Sequence, residues 1–319
     1  MPSGDILYLV IPCYNEEEVL PETSRRLREK MSALIAAGRI SPRSRILFVD
    51  DGSKDHTWEM IARLHREDPL FSGAKLSRNR GHQNALLGGL TAAVDRGAQV
   101  TISMDADLQD DIDAIDGFLD KYQEGYQVVY GVRSDRTTDT AFKRDTAQAF
   151  YKLMSWMGAE VVYNHADYRL MSRRAVEELL RFKEVNLFLR GMVPLVGFPS
   201  AQVTYKRGER FAGESKYPLK KMLAFAINGL TSFSVKPIRL VLALGVLLGG
   251  CAGVGLVIAL ICALAGVSVS GLWWLGLSLW LLGGIHLAAL GVVGEYVGKI
   301  YLETKARPSF ILETVLDKE

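Results

Sequence analysis

From Leu240 to Gly294 the chain carries no Asp, Glu, Lys or Arg, a run of 55 residues. The 38 Lys+Arg and 36 Asp+Glu of the 319-residue chain all lie outside it, so the formal net charge of +2 averages over unlike parts. A membrane-spanning helix takes about 20 apolar residues. The run accommodates two, Leu240–Ala265 and Leu272–Val293, with the small, polar link Gly266–Gly271 between them. Two spans joined by a short link form an antiparallel hairpin whose ends share one side. Lys236 and Arg239 precede the first span, and Lys299, Lys305 and Arg307 follow the second. The positive-inside rule then places both ends, and the body before them, on the cytoplasmic face of the inner membrane. Trp273 and Trp274 begin the second span, where an interfacial ring belongs. The competing reading is a buried hairpin in a large soluble domain, and the remaining residues are too few to cover so much apolar surface.

This layout excludes a wholly soluble, fibrous or disordered chain. The three cysteines, Cys13, Cys251 and Cys262, form no CxxC and no Cys/His cluster, so neither a disulfide framework nor a zinc site is expected. The first apolar run, Ile6–Ile11, is too short for a signal peptide and lacks a basic leader.

Before residue 215, short apolar runs alternate with amphipathic segments. Strands are predicted at Ile6–Ile11, Arg45–Asp50, Ala74–Ser77, Gln99–Met104 and Gln127–Val132. Helices are predicted at Glu17–Ala37, Thr57–Arg66, Gln83–Arg96 and Asp113–Gln123. Such alternation argues for an α/β fold with a mostly parallel sheet. Ligands of these sheets bind beyond the carboxyl ends of the strands, and polar clusters sit there. No GxGxxG follows the first strand and no GxxxxGK[ST] occurs, which weakens dinucleotide and P-loop readings. Four segments follow: an α/β domain over 1–215 on the cytoplasmic side, an amphipathic juxtamembrane segment over 216–238, the hairpin over 239–294 and a cytoplasmic tail over 295–319.

The sharpest cluster is Asp105-Ala106-Asp107-Leu108-Gln109, just past an apolar strand. In extended chain, residues i and i+2 point the same way, roughly 6–7 Å apart. Two carboxylates so placed can hold Mg²⁺ or Mn²⁺ when a ligand phosphate completes the shell, and Gln109 can add a carbonyl oxygen. The competing reading is a helix N-cap cluster, which suits Asp110, Asp111 and Asp113 better. Asp50-Asp51-Gly52-Ser53 ends another strand; its carboxylates suit a base N–H or ribose hydroxyls, or cap the next helix. Pro12-Cys13-Tyr14-Asn15-Glu16 ends the first strand and reads equally well as a plain turn. Arg78-Asn79-Arg80-Gly81-His82 precedes a helix, where basic residues suit a phosphate; His82 and His165 receive no catalytic role. Asp167-Tyr168-Arg169 is compatible with a structural ion pair.

Residues 200–239 carry eight Lys/Arg against Glu209 and Glu214. Leu219, Met222, Leu223, Ala226, Ile227, Leu230 and Phe233 recur at helical spacing, so this segment reads as a helix in the interface plane. Lys220 and Lys221 face anionic headgroups, about 1 kcal/mol each. Arg207, Arg210 and Lys216, on the loop before it, suit a diphosphate or a lipid phosphate.

In this order the motifs resemble those of family 2 glycosyltransferases in the dolichyl-phosphate mannosyltransferase branch: Pro12-x-Tyr14-Asn15-Glu16, Asp50-Asp51-Gly52-Ser53, Arg78-Asn79-Arg80-Gly81, Asp105-x-Asp107-x-Gln109, Asp167-Tyr168-Arg169 and Arg207-x-x-Arg210-x-x-Gly213-x-Ser215-Lys216. With two C-terminal spans the pattern is most similar to bacterial polyprenyl-phosphate glycosyltransferases, and the likeness covers the whole chain. The resemblance implies a glycosyltransferase A-type (Rossmann-like) domain that uses a nucleotide-diphosphate sugar. It implies that Pro12, Tyr14, Glu16, Asp50 and Asp51 hold the nucleoside, with Asp105 and Ala106 beside it. Asp105, Asp107 and Gln109 would hold Mg²⁺ or Mn²⁺ on the diphosphate, and Arg210 and Lys216 would engage it. Arg133, Arg144 and Arg207 match positions for the acceptor phosphate, with Gln148 where the mannosyltransferases carry Ser. Asp107 and Asp167 match the catalytic acids.

A lipid phosphate monoester has a second pKa near 6 and is largely a dianion at neutral pH. It needs no strong base, so Asp167 is expected to orient the acceptor or a sugar hydroxyl. The expected activity is inverting transfer of a hexose, glucose from UDP-glucose first among the choices, to undecaprenyl or another polyprenyl phosphate. The same chemistry with GDP-mannose, an amino-arabinose or an N-acetylhexosamine donor is the alternative. A processive polysaccharide synthase needs more spans and a QxxRW-type motif, and an intact DxDxQ argues against an inert scaffold or nucleotide-sugar sensor. Nucleic acid is not an expected partner. Gly245, Gly249, Gly250, Gly253 and Gly255 permit close helix contacts within the hairpin or between copies in a homo-oligomer.

Overall fold

A computed structural model describes residues 4–134, 165–183, 189–206, 271–305 and 307–317, with some side chains of the long C-terminal helix left out. The first strand, β1 (Leu7–Cys13), is buried along its whole length. It pairs in parallel with β2 (Arg45–Asp50) on one side and β4 (Val100–Ser103) on the other. β2 pairs in parallel with β3 (Phe71–Leu76). Beyond β4 come β6 (His165–Ser172), antiparallel, then β5 (Val128–Arg133) and β7 (Ser200–Tyr205). A last strand, β8 (Leu312–Leu316), lies antiparallel on β3 and completes an eight-stranded sheet of order β7-β5-β6-β4-β1-β2-β3-β8.

Successive strand side chains point to opposite faces, and both faces are covered, which is why the run Leu7–Cys13 is apolar without alternation. Leu7, Leu9, Ile11, Ile46 and Phe48 enter one core with Leu20, Leu27 and Met31 of α1 (Leu20–Ala36) and Phe118 of α4 (Ala114–Gln123). Tyr8, Val10, Leu47 and Val49 enter the other with Leu86 and Leu90 of α3 (His82–Asp95). That second core also takes Val176 and Leu179 of α5 (Arg173–Leu180) and Met192 of α6 (Leu189–Leu195). α2 (Thr57–Glu67) contributes the buried Ile61 to the first.

The predicted strands and helices up to residue 133 all form, with ends shifted by a few residues; β3 begins at Phe71 rather than Ala74. Three strands were not foreseen. Asp167-Tyr168-Arg169, beyond the fifth strand, lies inside β6, where Tyr168 and Arg169 are buried and Arg169 pairs with Asp167. Residues 200–205 form β7. The expected tail over 295–319 is not free: α7 (Gly271–Thr304) continues through Glu295, Lys299 and Glu303, and β8 follows. Among the described residues no helix is long and apolar enough to cross a membrane. The first span, the juxtamembrane segment, and Arg144, Gln148, Arg207, Arg210 and Lys216 lie outside the described residues.

Gly89 marks where α3 presses on the sheet: a Cβ there would lie 2.4 Å from Val10 Cγ1 and 2.6 Å from Val49 Cγ2. Both neighbours are stiff, buried valines. Gly→Ala inside a helix normally stabilises by about 1 kcal/mol. Here overpacking is expected to win, so Gly89→Ala should lower stability by about 1–3 kcal/mol in chemical denaturation.

Candidate active site

The ladder between β1 and β4 stops at Val10 and Ser103, whereas β1 and β2 stay paired to Cys13 and Asp50. β4 and β1 therefore part at their carboxyl ends, and this is where the order of the sheet reverses. Such a switch point opens a crevice. Pro12, Tyr14 and Glu16 line one side of it in sequence, and Asp105, Ala106 and Asp107 the other.

The loop after β1 is tied to the loop after β2. Asn15 N–H donates to Ser53 Oγ (3.0 Å), Lys54 N–H to Asn15 Oδ1 (2.8 Å) and Glu16 N–H to Thr57 Oγ1 (2.9 Å). Asn15 sits at φ 52, a left-handed conformation that Asn tolerates better than most residues. Asp51 is buried, and its carboxylate accepts from Arg80 N–H (2.6 Å) and Gly81 N–H (2.9 Å). Gly52, at φ +66, lets the strand end approach this loop: a Cβ would lie 2.6 Å from Asn79 N. Neither Asp50 nor Asp51 caps α2. Asp50 Oδ1 accepts from Ser53 N–H, and Asp55 Oδ1 from Thr57 N–H. Burial raises the pKa of both Asp50 and Asp51, against the hydrogen bonds that lower it.

The acidic turn differs from its expected shape. Asp105 and Asp107 are not an extension of β4, which ends at Ser103, but lie on a tight turn. Asp107 Oδ1 accepts from Gln109 N–H (3.1 Å), Leu108 is left-handed at φ 57, and Ala106 O accepts from Thr23 Oγ1 of α1 (2.8 Å). A leucine held there costs about 1–2 kcal/mol, and strain of this kind gathers at functional sites. Neither carboxylate caps α4, whose N-cap is Asp113.

Asp167 lies across the crevice. Its Oδ1 accepts from Arg169 Nη2 (2.7 Å) and its Oδ2 from Arg190 Nη2 (3.0 Å). Burial pushes this carboxyl up, but the Arg190 and Arg169 guanidiniums outweigh it and hold the group well below the usual carboxylate range. His82, the first residue of α3, places Nε2 3.6 Å from Asp105 Oδ1 and 3.9 Å from Asp167 Oδ2. Sequence reasoning assigned His82 no role and missed Arg190, because the approach of each to Asp167 is set by tertiary packing, not by spacing along the chain. Among the described residues, Asp50 Oδ2, Arg80 Nε, His82 Nε2 and Asn84 Oδ1 are buried without a hydrogen-bond partner. Asp50 ends β2, Arg80 lies just before α3, and His82 and Asn84 lie in the first turn of α3.

Arg133, at the end of β5, is held by a third group of residues. Tyr205 Oη donates to the buried Asp110 Oδ1 (2.6 Å), Arg133 Nε donates to Tyr205 Oη (3.4 Å), and Arg133 Nη2 stands 3.7 Å from Asp110. Desolvation, then the Asp105 charge, push Asp110 up to about 6.

Residues 8–180 match the Glycosyl transferase family 2 profile. The chain belongs to that family, and its sheet is the glycosyltransferase A-type α/β fold. It is 52% identical to the uncharacterized glycosyltransferase YkoT of Bacillus subtilis strain 168, over 99% of this chain and 94% of that one. It is 38% identical to the bactoprenol glucosyl transferase of Shigella phage SfV, over 97% and 99%. Among solved structures it is similar to the mannosyltransferase PcManGT of Pyrobaculum calidifontis, at 15% identity and TM-score 0.46 over 94% and 88% of the two chains.

A raised carboxyl pKa has a defined sign in stability. Unfolded Asp110 loses its proton near 3.9, folded Asp110 near 6. Its contribution is full below the unfolded value and declines as pH rises through about 6. Asp110→Asn should flatten that part of the urea-midpoint profile between about pH 4 and 7.

Proposed function

We propose that the protein transfers glucose from UDP-glucose to a polyprenyl phosphate at a membrane surface. The observation that carries this reading is the 38% identity, across 97% of the chain, to a bactoprenol glucosyl transferase. The crevice between β1 and β4 suits the donor. Asp50 and Asp51 are proposed for the nucleoside, and Asp51 also organises the 78–81 loop through two backbone amides. Pro12, Tyr14 and Glu16 form the facing wall.

Asp105 and Asp107 suit a divalent cation only in partnership with the donor. Among the described residues no cluster of three His, Cys, Asp or Glu side chains forms a cage. Mg²⁺ is commonly held by one or two carboxylates with substrate phosphates completing the shell, so this donor set fits, with Gln109 next in the turn. A bound Mg²⁺ or Mn²⁺ would offset the charge that builds on the leaving diphosphate. Arg210 and Lys216 are proposed for that diphosphate, and Arg133, Arg144, Gln148 and Arg207 for the acceptor phosphate.

Asp167 is a poor general base as it is placed. Two guanidiniums keep it ionised, and a base so weakly proton-seeking at neutral pH has little to offer. Its fixed carboxylate is suited to receiving a sugar hydroxyl or to aligning Arg190 on an anionic oxygen. The nucleophile is the acceptor's own dianionic phosphate, attacking the anomeric carbon opposite the leaving group. Positioning and charge neutralisation then carry most of the rate.

The charge-free run from Leu240 to Gly294 is proposed to be a two-span hairpin, with the catalytic domain cytoplasmic. The sequence supports it: from Gly271 to Gly294 α7 carries no Asp, Glu, Lys or Arg, and it exposes Leu275, Leu279, Leu282 and Leu290.

The direct test is whether purified protein makes radiolabelled lipid-linked sugar from a panel of nucleotide sugars, with no product longer than one unit. UDP-glucose should be the best donor, and longer products would point to a polymerising synthase. Asp107→Ala should abolish turnover in Mg²⁺-replete assays; near-normal rates would remove it from the metal site. Asp167→Asn should cost about tenfold or less in kcat, whereas a loss of several thousandfold would restore an essential base.

A further inference from the structure

The strand β8 enters the sheet at the end where the active site lies. Leu312 sits beside Leu76 at the carboxyl end of β3, and Leu316 beside Gly73 nearer its start. Just before β8, Ile311 O accepts from Ser77 N–H (3.0 Å), one residue ahead of the 78–81 loop that Asp51 grips. Phe310 packs on α3, its Cδ2 3.3 Å from where a Cβ on Gly88 would stand. α7 ends at Thr304, six residues before Phe310. An extended chain spans at most about 3.6 Å per residue, so the end of α7 lies within about 22 Å of Phe310.

The far end of β8 is tied down with unusual thoroughness for an edge strand. Asp317 is 7% exposed at its side chain and accepts from Ser72 Oγ (2.8 Å) and Tyr8 Oη (3.0 Å). Arg45 Nε stands 3.7 Å away and Arg96 Nη1 3.6 Å. One carboxylate thus engages β1, β2, β3 and the turn after α3. A five-residue strand, paired on one side only and half-exposed, holds its place weakly by backbone bonds alone. The buried, charge-assisted contacts supply what the short ladder lacks. Lys75 adds a bond to Glu313 (3.2 Å).

We infer that β8 and Asp317 form a latch that fixes the end of α7 at the rim of the active site, making Asp317 a positioning residue for a membrane-borne acceptor. It never touches substrate; it acts through the short connection between Phe310 and Thr304. The acceptor part of the inference rests on the function proposed above, while the latch itself does not.

The test uses the full chain in nanodiscs, comparing wild type, Asp317→Ala, the milder Tyr8→Phe, and a form lacking residues 311–319. Spin labels on Lys54→Cys and Lys305→Cys report the distance from helix end to site rim. A single narrow distribution is expected with the latch intact and a broad one in Asp317→Ala and the truncated form. An unchanged distribution in both overturns the latch. Steady-state kinetics then use UDP-glucose with either a long-chain polyprenyl phosphate or a water-soluble ten-carbon prenyl phosphate. Asp317→Ala should raise KM for the long acceptor about tenfold or more, with kcat, donor affinity by calorimetry and use of the short acceptor within about twofold. Equal losses with both acceptors would reduce Asp317 to a stabiliser of the fold. If Asp317→Ala does not fold, Tyr8→Phe decides by the same two readouts, an unchanged KM and distribution counting against the latch. Wild type inactive on both acceptors would refute the proposed function, and the spin-label result would still decide the latch.

Discussion

Two parallel ladders hold β1, and they end at different places. The one to β2 runs out to Cys13 and Asp50, and the one to β4 stops at Val10 and Ser103. Everything chemical in the described structure is arranged around that difference. Because β1 is buried on both faces, it cannot shift to close the gap without exposing Leu9 and Ile11 or Val10. The gap is therefore a rigid feature of the core, and the segments after β1, β2 and β4 are free to supply polar groups to it. Proline at position 12 is tolerated in a central strand because the β4 ladder has already ended there.

The buried carboxylates around the gap do different work because their surroundings differ. Asp51 is spent on two backbone amides and serves as a structural brace. Asp167 is held ionised by two guanidiniums. Asp110, buried with a tyrosine hydroxyl at 2.6 Å and a more distant arginine, is pushed the other way. Asp105 is the most open of the set, with 41% of its side chain exposed, as befits a group that must meet an incoming charge. Burial alone would raise Asp51, Asp110 and Asp167; what separates these three is which cations and donors the neighbouring strands bring up.

The five strands that could be read from the sequence, β1 to β5, are short, largely apolar runs set between amphipathic helices. β6 escaped because its middle holds Asp167 and Arg169, which look like loop residues until they neutralise each other inside the sheet. β8 escaped because Leu312–Leu316 alternates weakly and earns its place through Asp317, a contact more than 240 residues away from Ser72. The Asp105-x-Asp107 motif was legible as chemistry but not as geometry. An extended chain was the natural reading after an apolar strand, and the left-handed Leu108 that bends it has no signature, since leucine is an unlikely residue for that conformation. His82 and Arg190 were invisible for a related reason: a residue's nearness to Asp167 is set by strand order, which puts the antiparallel β6 beside β4.

The uneven charge layout acquires a physical meaning from this arrangement. A chain whose 55 uncharged residues stand between the first seven strands of a sheet and its eighth must return to that sheet after leaving it. β8 is that return, and its pairing with β3 makes the apolar block an insertion into the catalytic domain rather than an appendage to it. An appendage on a flexible tail would leave the orientation of the domain to chance. The chain re-enters the sheet at the carboxyl end of β3, where Ser77 N–H meets Ile311 O and Leu76 pairs with Leu312. That end of the sheet is also the one that carries Asp105, Asp107 and Asp167.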